Sequence, residues 1–161
     1  MEFPTHITDL ALKVISAYSL ANLKLAAVES CTGGLVSGAL TSIPGSSAVV
    51  DRGFITYSNQ AKKEMLGVPA SLLETQGAVS AEVAEAMAIG TLERSQANVT
   101  VSITGIAGPG GESETKPVGL VYFGRAGLLP LVEKRNFKGS RNEIRELAVQ
   151  RALELFLSAL E

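Results

Sequence analysis

Segments with the 3.6-residue period of an amphipathic helix alternate with short apolar, β-rich runs along most of the chain, and that alternation leaves few folds open. After Pro4 and Thr5, helical spacing holds through Ile7, Leu10, Ala11, Val14, Ile15 and Tyr18. KLAAV at 24–28 reads as a short buried strand, 35–40 as a short helix, 49–58 as a strand and 59–66 as another short helix. Ser80 is a good N-cap for a helix running to about Arg94, with Val83, Ala84, Met87, Ala88 and Leu92 as its apolar stripe. The run at 97–105 is rich in Val, Ile and Thr and reads as a strand, and 117–137 as two strands joined at Gly124 to Gly127. Ser140 and Glu143 form a capping box ahead of a last helix carrying Ile144, Leu147, Ala148, Ala152, Leu155, Phe156 and Ala159. The expectation is one α/β domain over 1–161, with helices on both faces of a mixed sheet.

Composition narrows the function. The chain has 46% apolar and 19% charged residues, which suits an ordinary soluble globular protein. A net charge of −2 gives no electrostatic case for nucleic acid as a partner. No run of about 18 apolar residues is present to span a membrane, and the first ten residues lack the regions of a signal peptide. The single cysteine fits a reducing cytoplasm. His6 and Cys31 are too few for a metal site of the Cys/His type, so no metal and no cofactor is expected. A Ser-His-Asp triad would have to recruit His6, which reads as a solvated helix-start residue, so a hydrolase of this sequence would need a base other than histidine.

Three stretches carry polar groups where an open α/β sheet places ligands, at the carboxyl ends of its strands. In ESCTGG, Glu29, Ser30, Cys31 and Thr32 stand between a strand and a helix, followed by Gly33 and Gly34. The glycines allow close backbone approach, and the free N–H groups of a helix start attract an anion. The plainer reading, that Ser30 or Thr32 caps the helix and the glycines make a turn, stands beside it. Cys31, with no histidine to activate it, reads as a small buried apolar residue. ITGIAGPGGESETKPVG, 103–119, matches neither the Walker nor the GxGxxG pattern. Thr104 and Gly105 sit at its strand end, and Glu112 to Thr115 read as a surface loop. In YSNQAKKEML, Lys62 and Lys63 are either a solvated pair or a source of one inward, desolvated lysine able to deprotonate Ser30.

ESCTGG, RGFITYSNQAK, GAVSAEVAEAMAIG, GIAGPGG and KPVG, in this order, resemble the CinA (competence/damage-inducible) family over nearly the whole chain, from about residue 7 to the last helix. The resemblance implies a three-layer α/β/α sandwich with a mixed, partly parallel sheet. It also implies hydrolysis of the carboxamide of nicotinamide mononucleotide to nicotinate mononucleotide and ammonia, a step of pyridine nucleotide salvage, without a metal. Matched by motif, Ser30 is the nucleophile, Lys62 the general base and Tyr57 a helper; Thr32, Gly33, Gly34, Thr104, Gly105 and Arg141 bind substrate. Backbone N–H groups near the start of the 33–40 helix would hold the oxyanion, and Arg141 with the last helix's start would hold the phosphate. Glu29 is expected to orient neighbours or satisfy backbone N–H groups. The family's Gly-Asp-Arg is Gly139-Ser140-Arg141 in this sequence, which places any direct role of that aspartate in question. The likeness is to the stand-alone deamidases of the family, as a homo-oligomer, dimer or larger, in the cytoplasm. Two rival readings remain: a non-catalytic nucleotide-binding module, and a transferase acting through Cys31.

Overall fold

β1 (Leu25–Glu29) and β3 (Val99–Gly105) are buried along almost their whole length and form the middle of the sheet. A computed structural model describes residues 2–161 of the protein. The strand order is β2-β1-β3-β4-β5. β1 runs parallel to β2 (Val50–Ile55) and to β3, whereas β3 with β4 (Leu120–Gly127) and β4 with β5 (Leu131–Asn136) are antiparallel. One face is covered by α1 (Thr5–Ala21), α2 (Leu35–Thr41) and α6 (Arg141–Ser158). The other is covered by α3 (Asn59–Leu66), α4 (Ala70–Gln76) and α5 (Ala81–Glu93). This is a three-layer α/β/α sandwich on a mixed sheet. No described helix is long and apolar enough to cross a membrane.

The two faces of the sheet differ chemically because a strand alternates its side chains. Toward α1, α2 and α6, β1 and β3 present Leu25, Ala27, Val99, Val101 and Ile103 to an apolar core that includes Val36, Leu40, Ile144 and Phe156. Toward α5, β3 presents hydroxyls: Thr100 Oγ1 donates to Ala88 O at 2.7 Å and Ser102 Oγ to Ala84 O at 2.6 Å. Such short bonds need α5 pressed onto the strands. Gly124 makes room for that, since a Cβ there would stand 2.4 Å from Ala84 O. β1 continues the alternation one step further: Val28 packs toward α5, Glu29 turns to the α2 face, and Ser30 to the α3 face.

Two expectations need correction, and one helix is added to the expected elements. Gly124 and Gly127 do not form the hairpin turn; both lie in β4, and the turn falls at 128–130, where Leu129 has φ 44° and its carbonyl accepts from Arg125 Nε at 2.7 Å. The glycine at 124 answers to close helix packing, and the turn carries no glycine at all. The second strand ends at Ile55, three residues before Ser58, because the Ser58 side chain caps α3 by accepting from Ala61 N at 3.0 Å. α4 was not foreseen.

The fit at Gly124 yields a stability test. Gly124→Ala should destabilise by about 1–3 kcal/mol, the usual range for overpacking, seen as a lower urea midpoint at unchanged m-value.

Candidate active site

Where β1 leaves the sheet, Ser30 N still donates to Ile103 O at 3.0 Å, and the chain then turns through 31–34 with Gly33 at φ 59° and Gly34 at φ 101°. Those positive φ values are easy for glycine and strained for other residues. The turn delivers the start of α2 to the fully buried Glu29 carboxylate. That carboxylate accepts from Gly34 N (3.0 Å), Val36 N (3.1 Å), Ser37 N (2.8 Å) and Ser37 Oγ (2.9 Å). Glu29 therefore has the backbone-satisfying role expected of it. The same bonds overturn the expectation that the 33–40 helix start is free for an oxyanion: its donors at 34, 36 and 37 already serve a full negative charge. Just upstream, among the described residues, the Thr32 N–H meets no protein acceptor and the Cys31 N–H meets only its own thiol sulfur.

Lys62 enters from α3. Its position four residues past the Ser58 cap turns it onto the buried side of that helix, where only 1% of it is exposed. Nζ lies 3.0 Å from Ser30 Oγ and donates to Thr56 O at 2.7 Å. Thr56 N in turn donates to Glu29 O at 2.8 Å, so the strand end that carries Ser30 also fixes the acceptor that holds Lys62. Burial disfavours the ammonium and lowers the Lys62 pKa to about 8. A neutral amine has two N–H groups and one lone pair. With one N–H committed to Thr56 O, the lone pair is available for the Ser30 hydroxyl proton. Lys63 lies elsewhere, in a cleft with Leu73 and Glu74.

Ser30, Lys62, Tyr57, Thr104, Gly105 and Arg141 share one cavity of about 310 Å³. Ala78, Val79, Ile106 and Ala107 supply much of its apolar wall. Thr104 follows Ile103, whose carbonyl accepts from Ser30 N, and donates its hydroxyl proton to Ala78 O at 2.8 Å. Gly105 leaves room for β4, since a Cβ there would be 2.7 Å from Val121 Cγ2. Arg141, in the first turn of α6, donates to Gly108 O at 2.7 Å and to Tyr57 Oη at 3.2 Å across the mouth. Thr32, Gly33 and Gly34, expected as substrate contacts, are not among the residues lining this cavity. Thr32 is fully buried, and the Gly34 N–H is spent on Glu29. Cys31 does border the cavity, but burial pushes its thiol up to about 11.

Sequence reasoning passed over Arg145. From the second turn of α6 its half-buried guanidinium donates through Nε to Cys31 O at 3.1 Å and through Nη2 to Thr32 O at 3.2 Å. The one available signal was its spacing of four from Arg141, which puts both on one side of the helix.

The family model of the CinA C-terminal domain matches residues 7–160. A nicotinamide-nucleotide amidohydrolase PncC of Enterobacter agglomerans is 47% identical over 151 residues, covering 92% of each chain. A CinA-like protein of Desulfotalea psychrophila is 52% identical over 83% of this chain, and a relative from Caldicellulosiruptor bescii is 50% identical over 88% of it. The matches cover 32% and 35% of those two proteins, so the chain spans about a third of their length. Among solved structures, the competence/damage inducible protein CihA from Agrobacterium tumefaciens superposes with a TM-score of 0.95 at 48% identity, covering 100% of this chain and 99% of that one.

A buried lysine should be a burden on stability. Its pKa of about 8 lies below the unfolded value of 10.5, so between those values the unfolded chain binds more protons and stability rises with pH. Below about pH 8 the full penalty applies, about 3 kcal/mol for a shift of this size. Lys62→Met should therefore be more stable than the parent at pH 7, with the advantage shrinking toward pH 10.5 in urea titrations run across pH. A Lys62→Met protein that is less stable at pH 7 would show the lysine to be a net structural support.

Proposed function

The chain belongs to the CinA C-terminal domain family, and we propose that it hydrolyses the carboxamide of nicotinamide mononucleotide, giving nicotinate mononucleotide and ammonia. The observation that carries the reading is the buried Lys62 Nζ 3.0 Å from Ser30 Oγ, inside a cavity with polar groups on several sides. The name of the 47%-identical amidohydrolase supports the substrate.

Neutral Lys62 takes the Ser30 proton as Oγ attacks the amide carbon. The oxyanion of the tetrahedral intermediate is received by the N–H of Cys31, which borders the cavity, such a donor being worth roughly 3–4 kcal/mol in comparable enzymes. Protonated Lys62 then gives its proton to the departing nitrogen, ammonia leaves, and Ser30 remains acylated. Water, deprotonated by Lys62, cleaves that ester, and the proton returns to Ser30. Every transfer uses protein groups alone. Tyr57, held by Arg141 at the mouth, helps shape the site. Arg141 faces the substrate phosphate with a guanidinium fork that lysine copies poorly. Glu143 and Ser140 already satisfy much of the α6 start, so the phosphate rests on Arg141 more than on that helix end.

Ammonia release from nicotinamide mononucleotide by metal-stripped protein is the direct test. Ser30→Ala and Lys62→Ala should each remove most of it, and Lys63→Ala should change little. Because the base must be neutral, kcat/KM should climb about tenfold per pH unit below about pH 8 and then level off. Arg141→Ala should raise KM for the mononucleotide and leave the riboside, which lacks the phosphate, little affected. A mononucleotide-binding protein without turnover would instead be a nucleotide-binding module.

Thr104 adds a selectivity that can be measured separately. A hydroxyl has one proton, and here it is given to Ala78 O, so toward the cavity Thr104 can only accept. An acceptor beside Ser30 suits the amide N–H₂ of the substrate and repels the carboxylate of the product. Thr104→Val should lower kcat/KM and at the same time tighten inhibition by nicotinate mononucleotide relative to substrate affinity. An unchanged ratio would remove Thr104 from amide recognition.

A further inference from the structure

We propose that Arg145 is a positioning residue for the reaction: from outside the cavity it sets the peptide planes of the nucleophile turn and so aims the oxyanion donor, the Cys31 N–H. The inference rests on the Ser30 reading above and adds a residue to it. Arg145 does not line the cavity that holds Ser30 and Lys62. It approaches the turn from the opposite side, on α6, which packs on the face of the sheet away from Ser30.

The argument runs through the peptide geometry. In a trans peptide the C=O and the following N–H point in opposite directions. Arg145 Nε binds Cys31 O at 3.1 Å, which draws that carbonyl toward α6 and fixes the peptide that leaves the cavity-lining Cys31. Nη2 binds Thr32 O at 3.2 Å and fixes the next peptide as well. Gly33 N, on that second peptide, closes the turn by donating to Ser30 O at 3.1 Å. These bonds hold three successive peptide planes from 30 to 33. Without the guanidinium, the two carbonyls lose their side-chain donor, and the glycines next in sequence offer little resistance to rotation of those planes. Ser30 Oγ and Lys62 would keep their own contacts, because Ser30 N is anchored on Ile103 O and Lys62 on Thr56 O. The loss should therefore fall on the transition state and spare substrate binding.

A second observation makes the test specific. Arg145 forms part of the wall of a separate cavity of about 300 Å³ between the N-terminal segment and α6, bordered by Phe3, Pro4, Ile7, Leu35 and Val149. A small cation in solution can reach the place vacated by a truncated Arg145 through that cavity. Arg145→Ala and Arg145→Lys should both be assayed for ammonia release from nicotinamide mononucleotide, with and without added guanidinium chloride at concentrations too low to unfold the protein. For Arg145→Ala, kcat should fall roughly ten- to a hundredfold with KM within about threefold, the pattern of an interaction made only in the transition state. The pH profile should keep its limb near pH 8, since Lys62 is untouched. Guanidinium should restore part of the lost kcat in Arg145→Ala and none in Ser30→Ala. Arg145→Lys, which can reach one carbonyl but not both with its point donor, should lie between. Should Arg145→Ala fail to fold, Arg145→Lys still decides, and wild-type kcat in it would overturn the inference. So would wild-type kcat in Arg145→Ala, or a loss that guanidinium does not rescue. Wild-type protein that releases no ammonia would sink the Ser30 reading itself, and this inference with it.

Discussion

A carboxylate with no exposure to water holds this site together. Glu29 is buried at the end of β1, and an uncompensated charge there would not be tolerated. It is compensated by four donors from the start of α2, three backbone N–H groups and the Ser37 hydroxyl, which are the groups a helix start leaves unsatisfied. Strand and helix thus solve each other's problem. The geometry follows from that bargain: for α2 to present its first turn to Glu29, the chain must reverse within 31–34, and two left-handed glycines make the reversal possible. Ser30, one residue after the carboxylate, is left on the opposite face with its side chain toward α3.

From there the site is assembled by strand alternation. β3 lines the α5 face with Thr100, Ser102 and Thr104, each giving its proton to a backbone carbonyl on α5 or the segment before it. In the middle of the sheet these hydroxyls only bind α5 tightly. At the strand end α5 has not yet begun, and Thr104 borders a cavity instead of a helix. The same face receives Lys62 from α3. A hydroxyl pattern that packs a helix in the interior faces a cavity where the covering layer stops.

Much of this was legible in the sequence because it depends on local rules. Periodicity located α1, α5 and α6, and the capping box at Ser140 and Glu143 marked the start of α6 to the residue. What stayed hidden depends on contacts between distant segments. Gly124 was read as a turn because a glycine between apolar runs signals one, while its actual constraint is Ala84 O of a helix forty residues earlier in the chain. Thr32 shared a motif with Ser30, yet the turn that exposes one buries the other. The donors at the start of α2 were assigned to an oxyanion because nothing in ESCTGG says where the Glu29 side chain goes. Arg145 lies more than a hundred residues from the peptides it binds, and no spacing rule reaches that far.

In the proposed reaction, the choice between the adjacent Ser30 and Cys31 follows from how burial acts on acids and bases. A thiol is the better intrinsic nucleophile, but only as the thiolate. Desolvation disfavours charge whatever its sign, so it pushes Cys31 up to about 11 and brings Lys62 down to about 8. The environment that makes the lysine a usable neutral base therefore keeps the neighbouring thiol protonated. Lys62 is also already directed at the serine, since its Nζ is hydrogen-bonded to Ser30 Oγ and pinned by Thr56 O. In the proposed reaction serine never needs to exist as a free anion, because the base can take its proton as the new bond forms. A pocket whose lysine is buried is thus suited to an alcohol nucleophile and unsuited to a thiolate, even with the two side chains one residue apart.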